Sequence, residues 1–441
     1  MKKFNRGTLV ILPVLFLLTA LAPSCKKGSD SVDVDEKSLA HTKKHSAEVA
    51  MEWFNLLTEI SRTKPYFSPQ ALRIFAYSGV TLYESVVPGM PSYQSIYGHL
   101  TGKAFGFDKK KDYYWPACAN AAMARIASKI MEDYPTPNLG PLQQLETSLN
   151  ASFAQKTTPE QLNLSNEFGR KVADAIYEWS RTDGALDACP TYVPGSTPGS
   201  WVPTPPGFLP VAGACQGAIK TFIPNIVTTA MAAPPPAYST DPTSTFYLAA
   251  KETFESRNDI TAEETKVFNN WRDGAPNFNP LAHMLRITTG IINKEKVNLE
   301  DASVLYAKQT MAASDVIAAT FKSKFQYALL RPVTYIQNVM GKTTWNSLPV
   351  TPQTPSYPDE SSATASSIAI LEKYFGTNYS FVDSTHKSTV GEWTYPSFNA
   401  MMQDIVQARI NGGTIFRFAG QAGITQGRLV GDRIDQLPFK K

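Results

Sequence analysis

Histidine is scarce in this chain: five in 441 residues, at His41, His45, His99, His283 and His386. Any chemistry that needs an imidazole must draw on these. Cysteine is almost as rare, with Cys25, Cys118, Cys189 and Cys215. No CxxC spacing occurs and no stretch of sequence gathers His, Cys and Asp, so the expectation for metal is none. A strong charge of either sign is missing too. The formal charge of +4 includes Lys2, Lys3 and Arg6 at the extreme N-terminus. That balance gives no reason to expect nucleic acid or another polyanion as a partner. No internal repeat and no sustained heptad is visible, which argues against a solenoid or a coiled coil.

What is present suits a globular protein. A 43 % hydrophobic and 18 % charged composition argues against wholesale disorder, and the length can bury a large core. The 32 prolines and 26 glycines imply long irregular connections.

One apolar run stands out, Thr8 to Ala22, preceded by Lys2, Lys3 and Arg6 and followed by Pro23-Ser24-Cys25. A basic head, a short apolar core and small residues at its end read as an export signal, too short for a comfortable span. Cys25 after Ser24 resembles the bacterial lipoprotein box. The expected organisation is therefore a signal peptide over 1–24, a flexible stalk over 25–45 anchored by lipid on Cys25, and one helical domain over 46–441. That places the protein in the bacterial cell envelope, on the outer membrane, facing the periplasm or the cell surface. Cys189 and Cys215 flank a Pro-rich stretch, and both a disulfide and free buried thiols are compatible with that placement.

Helical periodicity dominates the rest. Trp53, Phe54, Leu56, Leu57 and Ile60 keep to one side of a helix over 47–61. Ser68-Pro69 predicts the start of another, running to Val86. Further helices are expected over 116–131, from about 160 to 179, 243–257, 261–271, 280–291, 361–374, 398–409 and 422–437. Thr261 with Glu264 reads as a capping box. From Leu299 to Leu330 the pattern is almost unbroken and predicts a central helix. The fold class is all-α, a large helical bundle. Residues 185–242 break the pattern: they are too Pro-rich for helix and lack strand alternation, yet Trp201, Phe208, Phe222 and Ile223 are too apolar for an idle linker. This segment is expected to lie against the helical body near the mouth of a site.

Two runs carry the candidate chemistry, Lys324 to Pro332 (KFQYALLRP) and Ala408 to Phe418 (ARINGGTIFRF), with YPDESSATASS at 357–367 between them. Lys324 and Arg331 are seven apart, close to two helical turns, and Arg409 is a third cation. Three such cations brought together bind a tetrahedral oxyanion. The bland alternative is ordinary surface cations, favoured at a helix C-terminus by its dipole.

In order, these runs resemble the signature of the vanadium haloperoxidase and type 2 phosphatidic acid phosphatase superfamily. That signature has Lys and Arg seven apart before Pro, then Pro-Ser-Gly-His, then Ser-Arg with His six residues later. Lys324, Arg331, Pro332, Pro358 and Arg409 match. Ala408 stands in the Ser place, and Asp359 and Glu360 stand where Ser and Gly are expected. The two histidines fall on Ser361 and Ile415. The resemblance implies a haloperoxidase-type helical fold, with Lys324, Arg331, Arg409, Ser361 and Ser362 around an oxyanion pocket.

It also implies that both imidazoles of the signature are lost. The expectation is then a catalytically degraded member with no cofactor, a possible pseudoenzyme binding at most a phosphate-like anion or an envelope protein partner. Two alternatives stand beside it. One is an active vanadium-dependent haloperoxidase or phosphomonoesterase, with vanadate as cofactor in the former and a substitute residue, His386 or His283, in either. The other is a structural envelope lipoprotein. His41 and His45 fall in the expected stalk, and His99 follows a Tyr-Gly turn where it reads as structural.

Overall fold

The computed structural model describes residues 41–63, 68–274 and 277–441. The signal peptide, Cys25 and most of the expected stalk lie outside them. The described residues group as one compact unit. The last stalk residues already belong to the body: Thr42 is buried, donating its hydroxyl to Val86 O at 2.8 Å, and His45 is half-buried.

The architecture is all-α, a large helical bundle. Its axis is the helix Leu299–Tyr327, begun by Asn298, whose side chain accepts the Asp301 N–H. The helices Ser68–Val86, Ser361–Phe375 and Arg417–Asp435 pack around it, and Trp115–Glu132 and Pro159–Ser180 form a second layer beyond Ser68–Val86. Being surrounded, the axial helix buries polar residues along with apolar ones, among them Gln309, Asp315, Thr320 and Lys324. Trp53, Phe54, Trp115 and Tyr306 are fully buried in the core. Each such side chain contributes about 2–3 kcal/mol through the apolar surface it removes from water. The capping box at Thr261 forms as read, with Glu264 closing it.

The close approach of the last helix to Ser361–Phe375 rests on glycine. A Cβ on Gly423 would lie 2.4 Å from Asp359 O, and one on Gly427 would lie 2.2 Å from Ser362 O. Only hydrogen in place of a side chain lets these backbones meet, and that contact sets the depth at which Ser361 sits.

Two local differences from the sequence reading matter for function. The axial helix does not run to Leu330. It closes at Tyr327, with Ala328 left-handed at φ 44° and bonded to Lys324 O. Arg331 is extended (φ −83°, ψ 154°) as the residue before the helix Pro332–Asn338, because proline disfavours a helical conformation in the residue preceding it. The second difference is a two-stranded antiparallel pairing of Phe381–Asp383 with Trp393–Tyr395, too short to leave a visible alternation.

The Pro-rich stretch wraps the end of the axial helix. Trp201 is 1 % exposed and donates its backbone N–H to Ala328 O, while Leu330 donates to Gly199 O. Tyr327 and Tyr357 reach Ala232 O and Ala233 O. Cys189 and Cys215 are disulfide-bonded, and Cys118 is a buried free thiol. Among the described residues no helix is long and apolar enough to cross a membrane.

Candidate functional site

Lys324, Arg331 and Arg409 come from three separate elements and meet around one pair of carboxylates. Lys324, in the last turn of the axial helix, is fully buried. Its Nζ donates to Pro355 O at 2.7 Å and stands 3.7 Å from Glu360 Oε1. Arg331, 1 % exposed, donates Nε to Thr354 O at 2.7 Å, Nη2 to Thr354 Oγ1 at 2.8 Å and Nη1 to Thr414 O at 3.1 Å. The Thr354 hydroxyl in turn faces Glu360 Oε1 at 3.4 Å. Arg409, in the last turn of Phe398–Asn411, donates Nη2 to Asp359 Oδ2 at 2.9 Å, and its Nε is buried with no partner.

Electrostatics tie the group together. Burial and the neighbouring Arg331 and Arg409 charges push Lys324 down to about 8, against the pull of Glu360 and Asp359. Burial likewise lowers Arg331, to about 10. Burial opposes the charge of Arg409 as well, but Asp359 and Glu360 outweigh it and hold that guanidinium up. Burial alone would raise Asp359; Arg409, Lys324, the Ser361 N–H and Arg331 hold it below the usual carboxylate range.

The remaining expected residues divide. At the start of the Ser361–Phe375 helix Asp359 Oδ1 accepts the Ser361 N–H at 3.0 Å, and the Ser361 hydroxyl lies 3.4 Å from Gly420 O. The Ser362 hydroxyl pairs with Thr320 Oγ1 at 2.7 Å, in a buried contact between helices. Ile415 is fully buried in the core, and its carbonyl accepts from Thr253 at 3.1 Å.

A second constellation, unseen in the sequence, changes the functional reading. His283, fully buried, has Nδ1 3.0 Å from Asp273 Oδ1 and Nε2 3.0 Å from Asp383 Oδ2. Burial works against its charge, but the two carboxylates outweigh it and raise the imidazole to about 10. Trp271 stacks on the ring at 4.4 Å. His386 meets His283 edge-on at 5.0 Å, is 7 % exposed, and has a buried Nε2 with no partner. Burial, followed by the His283 charge, lowers its pKa. Ligand atoms of Asp273, His283 and His386 all lie within 4.8 Å of one another. Asp273 also raises the pKa of Arg409 through its charge, so the cluster is in electrostatic reach of the cationic group.

The expectation of a degraded, inactive member is corrected here. It rested on Ser361 and Ile415, and therefore on the loss of every imidazole from the neighbourhood. Two imidazoles from other parts of the chain, His283 and His386, converge instead with Asp273. The pseudoenzyme reading and the expectation of no cofactor fall with it. Motif spacing registers only the positions inside the motif, whereas the fold joins residues more than 100 apart. Asp273 and Asp383 lie outside every motif run, and nothing in the sequence marks them as partners. The sole sequence hint was the placement of His283 and His386 as weak substitutes.

The donor set fits an oxyanion such as vanadate. Arg409 Nε is a buried donor lacking an acceptor, beside two further cations. Position 415 supplies no nitrogen.

The comparisons with known proteins agree with this geometry. Residues 304–437 match the family model for the VCPO second helical-bundle domain. The chain is similar to a bacterial vanadium-dependent iodoperoxidase, at 26 % identity and TM-score 0.82, over 89 % of this chain and 96 % of that one. Two structures of bacterial vanadium-dependent chloroperoxidase share the fold at 14 % identity. The holo-type has TM-score 0.65 over 86 % of this chain and 95 % of its own, and the apo-type 0.68 over 91 % and 100 %. No curated protein matches the sequence significantly.

Proposed function

We propose that this chain is an active vanadate-dependent haloperoxidase, oxidising halide with hydrogen peroxide, exported and anchored to the outer membrane by lipid on Cys25. The observation that carries the proposal is the Asp273–His283–His386 cluster, with its buried and unpartnered His386 Nε2. The likeness to an iodoperoxidase over most of both chains supports iodide as the first halide to try.

Lys324, Arg331 and Arg409 hold the oxyanion. Their burial makes each charge count for more than it would in water. Asp359 and Glu360 keep these cations paired in its absence, and Glu360, whose side chain is 25 % exposed, is the one free to give way. When bound, vanadate supplies the Lewis-acidic centre at which peroxide is activated. His386 contributes an imidazole nitrogen, open for ligation or proton transfer. Asp273 and Asp383 fix His283, and the His283 charge in turn favours neutral His386.

The test is iodide oxidation by wild-type protein with vanadate and peroxide, set beside Arg409→Ala. Vanadate-dependent turnover that falls at least 100-fold in the variant supports the proposal. Turnover no greater than that of denatured protein sinks it. The anchor is tested separately: Cys25→Ala abolishes acyl labelling, and labelling that persists contradicts lipidation there.

A further inference from the structure

We infer that Asp273, His283 and His386 form a binding site for a divalent first-row transition ion, with Asp383 orienting one ligand from behind. The inference rests on the reading of this cluster as a chemical centre and assigns its imidazoles to ligation.

Three observations lead there. The first is the donor set: two imidazoles and one carboxylate, with ligand atoms mutually within 4.8 Å. Two nitrogens and one oxygen suit Zn²⁺, Co²⁺ or Ni²⁺ and do not suit Mg²⁺ or Ca²⁺, which take oxygen. His283 Nδ1 and Asp273 Oδ1 are 3.0 Å apart. Ligands about 2.1 Å from a shared tetrahedral ion are separated by about 3.4 Å, so a shift of a few tenths of an ångström opens this contact to one. The ion replaces the proton that these two atoms share.

The second observation lies behind the ligand. His283 Nε2 faces Asp383 Oδ2 at 3.0 Å, and Asp383 is itself held by the Thr385 N–H at 2.9 Å and by Asn270 Nδ2 at 3.1 Å. A carboxylate that fixes the far nitrogen of an imidazole is the arrangement that orients metal-ligating histidines and raises their basicity.

The third is His386. It is more than nine-tenths buried, and its Nε2 finds no hydrogen-bond partner. A buried imidazole nitrogen without a partner is destabilising, and an ion would give it one.

The experiment uses full-length protein without a polyhistidine tag, stripped with chelator and titrated with Co²⁺, following its visible absorption, and with Zn²⁺ by calorimetry. The expected result is one saturable site, undisturbed by a hundredfold excess of Mg²⁺. His386→Gln and Asp273→Asn each weaken it at least tenfold, and Asp383→Asn weakens it about 10–100-fold. No saturable binding to the stripped wild type overturns the inference, as does unchanged affinity in folded His386→Gln. Binding is read without turnover. An inactive protein that binds Co²⁺ through His386 therefore refutes the peroxidase proposal and leaves the metal site standing. Vanadate-dependent turnover with no Co²⁺ site does the reverse.

Discussion

Asp359 places one carboxylate oxygen 2.9 Å from Arg409 Nη2 and receives the Ser361 N–H on the other. It occupies both a cation and a helix-terminal donor that an external oxyanion would use. Glu360 does the same toward Lys324 at longer range, 3.7 Å. The chain thus carries its own anions inside a cationic site.

Glu360→Gln is therefore expected to tighten vanadate or phosphate binding. Removing the competing charge at the edge of the site gives roughly a tenfold gain, about 1.4 kcal/mol. Calorimetric titration of wild type and variant measures it. Equal or weaker affinity in the variant contradicts the competition.

Lys324 makes the same site pH-dependent. Its folded-state pKa is lowered to about 8, so the ammonium is lost as pH rises through that value. Sulfate, whose charge is constant over this range, is expected to bind with steady affinity below about pH 8. Above it the affinity falls, approaching tenfold per unit. Lys324→Arg keeps its charge and should flatten the profile. A wild-type affinity unchanged up to pH 9.5 rules the assignment out.

Stability carries a separate pH signature from Glu84. Burial raises its pKa to about 7, although the Ile96 and Tyr97 N–H groups bond its Oε1 at 2.8 and 2.9 Å. The folded state then holds a proton that the unfolded chain releases above about 4.5, so stability falls as pH rises toward 7. Asp315, also raised by burial to about 7, acts in the same direction. Glu84→Gln should narrow the difference in Tm between pH 5 and pH 8 without abolishing it. A difference of the same size in the variant would show that Glu84 is not responsible.

Gly427→Ala probes the helix contact that positions Ser361. A methyl group 2.2 Å from Ser362 O forces the two helices apart, and such overpacking costs about 1–3 kcal/mol. A clear drop in Tm is expected, together with weaker sulfate binding because the Ser361 end of its helix moves. A variant as stable as wild type means the contact is looser than it looks.

Much of the fold was legible in the sequence because helical periodicity is a local property. The Ser68–Val86, Thr261–Asn270 and Ser361–Phe375 regions carry their own start signals and apolar spacing. Arg331 was misplaced on the axial helix, since a run of apolar residues does not reveal that Ala328 turns left-handed. The cations were legible as motif positions, although only the structure shows Asp359 and Glu360 paired with them. The His283–His386 cluster was not legible as a site. Its members are spaced by folding: His283 on one helix, Asp273 in the loop before it, Asp383 at the end of a strand of three residues and His386 just beyond it.

The most direct measurement of the central claim is steady-state iodide oxidation by purified wild type and His386→Ala, both with saturating vanadate and peroxide. The account predicts vanadate-dependent turnover in wild type and a loss of 100-fold or more in His386→Ala, with both proteins folded by circular dichroism. Wild-type activity indistinguishable from a denatured control, or equal activity in the two proteins, would contradict it.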